Sequence, residues 1–220
     1  MKKRFALILL VAFCFPLLIF CACANEVVYF DYVSELRNNI FIAEADGLSL
    51  RIYSVNKEYP YQADGIPREK SARTEVYVVA PSGDKKCNVS FSDGKENWGG
   101  EMSYDGVKAE YYFSCSVDLS TARNLHCQIE YGGTMVEVTA KSVLKENALS
   151  PKEALDILHK NESELFEKMT DKYGFTGEIY LRLIYEDSPF YYVGIIDRNG
   201  GIVAFLMHAE TGKILAKRQT

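Results

Sequence analysis

The chain has 220 residues, 48% of them hydrophobic and 25% charged, with a formal net charge of -5. That is enough apolar residue for one large domain or two small ones, and the acidic balance argues against a nucleic-acid partner, because neutralising phosphates needs a basic face. The dense basic cluster is Lys2, Lys3 and Arg4, and without those three charges the remainder stands at -8.

These charges open MKKRFALILLVAFCFPLLIFCACA, residues 1–24, in which an unbroken apolar run follows the basic start; this is the order of a bacterial export signal. Three outcomes fit the segment. Ala22-Cys23-Ala24 is a small-x-small site whose cleavage would release a chain starting at Asn25. Phe20-Cys21-Ala22-Cys23 resembles the lipobox of bacterial lipoproteins, with Cys23 as the lipidated residue. The run is also long enough to span a bilayer uncleaved, although Pro16 in its middle disfavours a permanent helix. The expected location is outside the cytoplasm, secreted or lipid-anchored at the outer surface of the cytoplasmic membrane, with membrane contact only through this segment.

From Asn25 to about Val143 the pattern has period two, with turn residues between the runs. In LSLRIYSV, Leu48, Leu50 and Ile52 point one way while Ser49, Arg51 and Tyr53 point the other; Asp46-Gly47 supplies a hairpin turn that pairs this run with NNIFIAEA. TEVYVVA, CNVSFS, VKAEYYFSCSV, LHCQIEY and TMVEVTAKSV alternate similarly, and strands this short and regularly spaced predict two sheets packed face to face. The stretch YYFSCSVDLSTARNLHCQIEYGG resembles the late strands of an immunoglobulin-like sandwich. That resemblance implies a Cys87–Cys127 bridge, whereas the local sequence suits Cys115–Cys127 equally well; Trp98, in ENWGG, reads as loop.

After Val143 the period changes. Ser150-Pro151-Lys152-Glu153 is a capping box with Pro at the first helical position, followed by an apolar stripe of Ala154, Leu155 and Leu158. Leu165, Phe166, Met169 and Tyr173 continue a stripe up to Gly174. Then come GEIYLRLIYED, PFYYVGIID, the Asn199-Gly200 hairpin dipeptide, GIVAFLMHAE, a Glu210-Thr211-Gly212 turn and KILAKRQ. The predicted fold class is therefore mainly β with a smaller α+β domain: an antiparallel β-sandwich over residues 25–145, then over 148–220 a helix packed on a four-stranded antiparallel meander. The S-P-K-E-A-L helix start and the H-A-E-T-G-K-I-L final turn resemble the PepSY family over about the last 70 residues, with His208 where an Asp is common. The resemblance implies a non-catalytic module of exported or membrane proteins that restrains nearby peptidases.

No H-E-x-x-H, G-x-S-x-G, P-loop or C-x-x-C follows the export segment. His126 and Cys127 are strand neighbours and so face opposite ways. Cys87, Cys115, Cys127 and His126 are a poor zinc set in an exported chain, where thiols oxidise. Neither catalytic residue, metal nor cofactor is expected. The surplus is aromatic: a candidate binding surface comprises Tyr59 and Tyr61 in the long irregular stretch, with Tyr180, Arg182, Tyr191 and Tyr192 on the strands after the helix. In β-alternation Ile179, Leu181 and Leu183 oppose Tyr180, Arg182 and Ile184, so one set is free when the other is buried. The expected function is binding of an extracellular or envelope protein or peptide; a carbohydrate-binding accessory module is the alternative, and an enzyme of unrecognised type the third.

Overall fold

The computed structural model describes residues 27–59 and 66–220. A 3-10 turn, Tyr29–Tyr32, leads into β1 (Val33–Ala45), β2 (Leu48–Glu58), β3 (Lys70–Val79), β4 (Cys87–Ser92), β5 (Asn97–Glu101), β6 (Ser103–Asp105), β7 (Glu110–Cys115), β8 (Asn124–Tyr131) and β9 (Thr134–Ser142). Two helices follow, α1 (Pro151–Asn161) and α2 (Ser163–Lys168), then β10 (Thr170–Asp171), β11 (Gly174–Phe175), β12 (Glu178–Tyr185), β13 (Pro189–Ile196), β14 (Ile202–His208) and β15 (Ile214–Gln219).

The first nine strands form a near-closed barrel. β1 pairs with β2, β2 with β3 and β3 with β7, which carries β6; from the other side β1 pairs with β9, β9 with β8, β8 with β4 and β4 with β5. At the seam between β5 and β7 the Phe113 ring lies so near the backbone that a Cβ on Gly100 would come within 2.8 Å of it. Gly99 is pressed still more tightly against the backbone of Val89 and Ser90. Trp98 therefore sits in a strand, not a loop, because its two glycines serve close backbone approach and do not break the chain. The barrel encloses Phe41, Leu50, Ile52, Val76, Phe91, Leu125 and Ile129 among its buried residues.

β1 is what overturns the expected flat sandwich followed by a separate helix-on-meander domain. It is 13 residues long. Its later part belongs to the barrel, with Phe41 fully buried there, while Val33, Leu36 and Ile40 enter the other core. Leu36 pairs in parallel with Leu181 of β12, and β12, β13, β14 and β15 extend the same sheet as an antiparallel run. Meander and barrel are thus parts of one 13-stranded sheet. A register shift between Arg37 and Asn39 marks where β1 exchanges β12 for β9. Such a bulge bends a strand and lets it serve two differently inclined partners.

Local rules account for the helices and turns. Ser150 Oγ accepts from the Glu153 amide and Glu153 returns a bond to the Ser150 amide, closing the capping box. Ala154, Leu155 and Leu158 are buried on the meander, and each leucine stabilises the fold by about 1.5–3 kcal/mol on burial. The second stripe is shorter than its pattern suggests: α2 ends at Lys168, and Tyr173 is 83% exposed. Asp46 and Gly47 both have positive φ, as the two-residue hairpin between β1 and β2 requires.

Candidate interaction surface

Alternation along β12 decides which side chains remain available. Ile179, Leu181 and Leu183 are fully buried under the helices, leaving Tyr180 and Arg182 half-buried on the opposite face. β13 divides likewise. Tyr191 is fully buried, its hydroxyl donating to the Leu149 carbonyl at 2.6 Å, so it belongs to the core and is removed from the binding surface; its neighbour Tyr192 pairs with Arg182 and is half-buried on the open face. Tyr192 leans over Gly194, where any Cβ would meet the ring at 3.3 Å.

Arg182 is held by Glu35 of β1: Nε donates to Oε1 and Nη2 to Oε2, both at 2.8 Å. The guanidinium also lies 5.0 Å from the centre of the Tyr180 ring. Burial raises the Glu35 carboxyl pKa, but the Arg182 hydrogen bond and the charges of Arg182, Lys57 and Arg37 outweigh it and hold the group below the ordinary carboxylate range. Lys57 bridges onward, 3.8 Å from Glu35 and 3.5 Å from Glu75. Arg37 stacks over Tyr53 at 4.3 Å and donates to the Leu183 carbonyl at 3.4 Å. The Tyr77 hydroxyl donates to Glu75 at 3.3 Å, and burial together with that carboxylate pushes its pKa up, so it stays a donor.

The result is a continuous stripe of alternating charge and tyrosine that crosses β13, β12, β1, β2 and β3. Where β1 leaves β12 for β9, a cleft of about 360 Å³ opens beside it, lined by Ile42, Lys141, Val143, Lys145, Tyr185 and Pro189 among others. Pre-paired ions and rings with two or fewer free torsions lose little entropy on docking, which suits recognition of a protein or peptide surface.

Other predicted positions fall elsewhere. Tyr59 is 86% exposed just past the end of β2, while Tyr61 and Cys23 lie outside the described residues, as does the export segment. Cys87, Cys115 and Cys127 are free thiols, so neither Cys115–Cys127 nor Cys87–Cys127 is a bridge. Cys115 lies opposite Thr74 and Cys127 opposite Phe91, on strands that do not pair with each other. His126 is exposed over an open polar groove with Ser90, Gln128 and Glu137, while Cys127 faces the core. His159 packs among Tyr29 and Phe166, and His208 accepts from the Glu210 amide. Among the described residues no group of His, Cys, Asp and Glu has metal-binding geometry, and no helix is long and apolar enough to cross a membrane.

Glu35, Arg37, Lys57, Glu75 and Tyr77 are the residues of this face that sequence reasoning passed over, Glu75 being buried within it. Their signal was the outward half of each alternation, as for Arg51 and Tyr53 opposite Leu50 and Ile52; what one strand's pattern lacks is the identity of the strand beside it. No family model matches the chain, and neither a curated protein nor a solved structure matches it.

Proposed function

We propose that this chain is an exported, non-enzymatic module that binds an extracellular or envelope protein or peptide through the open face around Tyr180, Arg182 and Tyr192. The observation that carries the reading is the pre-organised Glu35–Arg182 pair flanked by half-buried tyrosines, because Arg and Tyr held in place are the residue types that dominate interface energies. Export rests on the basic-then-apolar order of residues 1–24, with Cys23 lipidation or cleavage before Asn25 as its two forms. The similarity of residues 148–220 to PepSY modules directs the search toward an extracellular peptidase as the partner.

The test is site-specific photo-crosslinking of the full chain in its native envelope. A photoreactive residue at position 180 is expected to give a discrete adduct that disappears with Tyr192→Ala, whereas one at Asp156, exposed on α1, gives none. Equal adducts from both positions, or none from position 180, would overturn the reading. Arg182 is a poor first choice for substitution, since its removal leaves Glu35 without its principal partner.

A further inference from the structure

A second feature lies on the outer wall of the barrel, where β6 folds back on β7 and encloses a shallow cavity of about 230 Å³. Its floor is aromatic. The Tyr77 and Tyr112 rings stand 5.2 Å apart at 47°, and Tyr53 continues the row 5.4 Å from Tyr77. Its rim is polar, formed by Ser103, Asp105, Lys108 and Glu110. Glu110 lies 3.7 Å from Arg51 and 3.9 Å from Lys108, so two carboxylates and two cations balance around the opening.

We propose that this cavity is a saccharide subsite that seats one ring of a neutral glycan. A pyranose has an apolar C–H face and a rim of hydroxyls. The C–H hydrogens carry slight positive charge and fit the negative face of a tyrosine ring. The hydroxyls can donate to Asp105 and Glu110, and hydrogen bonds to ionised acceptors are stronger than neutral ones. The size favours a single ring, because cavities that hold drug-sized ligands begin at about 300 Å³. The balanced charge favours a neutral ligand over an anion or a cation. An extended peptide finds little strand edge here, since β7 is already paired with β3 and β6, and the outer edge that β6 leaves is only three residues long. The cavity adjoins the β3 end of the charged stripe through Tyr77, but Ser103 and Tyr112 are not among the residues around Tyr180, Arg182 and Tyr192 that carry the docking reading, so either proposal can fail without the other.

The experiment is saturation-transfer NMR on the full chain in a detergent without a sugar headgroup, with maltotriose, cellotriose and N-acetylated chitotriose as probes. Saturation is expected to reach the ring protons of at least one trisaccharide. Tyr112→Ala should weaken that binding roughly tenfold or more, and Tyr112→Phe, which keeps the ring, should retain it. Because Tyr112→Ala removes a half-buried ring and could disturb the fold, Ser103→Trp provides the second variant: it fills the cavity from an exposed position and should abolish the transfer. Absence of transfer to all three probes, or transfer unchanged by Ser103→Trp, overturns the proposal.

Discussion

Arg182 and Glu35, 147 positions apart in the chain, meet through two parallel 2.8 Å hydrogen bonds on adjacent parallel strands. The pair ties the meander to the strand that also builds the barrel. It is partly exposed, so its contribution lies between a surface pair and a buried one, and Glu35→Gln should destabilise the fold by about 1–2 kcal/mol in urea titrations. The sign with pH follows from the depressed Glu35 pKa. The stabilisation is present above the ordinary carboxyl value of 4.5 and is lost as pH falls below it through the folded-state value. The difference between wild type and Glu35→Gln should therefore shrink in melts below that value; a difference that is constant with pH would show that charge is not its source.

Unfolding should be cooperative across both cores. The segment between β9 and α1 is tied down at both ends, by Val143 N–H to the Ile40 carbonyl and Leu149 N–H to the Ala209 carbonyl, and Glu210 accepts from Lys145 and Asn147. A chain truncated after residue 145 would expose Val33, Leu36 and Ile40, whose core partners lie beyond it. The expectation is one thermal transition for the full chain and no cooperative transition for the truncated one. A truncated chain that melts sharply would show that the barrel folds alone.

The α1 capping box gives a local test. Ser150→Ala removes one acceptor from an exposed helix start, and the typical cost is about 1 kcal/mol. Chemical denaturation should register that loss without a change in the slope of the transition.

Tyr191→Phe isolates a single buried bond. It deletes the hydroxyl that satisfies the Leu149 carbonyl while keeping the ring, so a loss of about 1–2 kcal/mol is expected. Tyr191→Ala, which also leaves a cavity, should cost about 3–5 kcal/mol. Near-equal effects would mean that the ring contributes little to the core.

The thiols should be inert in the native state. Burial pushes Cys87 and Cys127 up to about 11, with a backbone hydrogen bond only partly offsetting this at Cys127. Thiolate is the species that alkylates, so iodoacetamide at pH 8 should spare both residues until urea is added. Peptide mapping without reductant should recover Cys115 and Cys127 on separate peptides; a linked pair would contradict the strand positions.

Period-two alternation alone determined nearly every strand, because burying one face of a strand constrains its own residues and nothing further along the chain. The same holds for the α1 start at Ser150 and the hairpin at Asp46-Gly47, where capping and positive φ are satisfied by immediate neighbours. Trp98 was misplaced because Gly99 and Gly100 read as turn residues until the strand and ring that press on them are known. The candidate surface was half legible: Tyr180 and Arg182 could be assigned to one face of their strand, but choosing Tyr192 over Tyr191 required knowing which face of β13 the helices cover. Only the tertiary structure decided that thirteen of the fifteen described strands form one sheet, with a near-closed barrel at one end. That outcome turns on β1 pairing in parallel with a strand about 145 residues later, and a parallel partner is joined by no turn that a sequence could display.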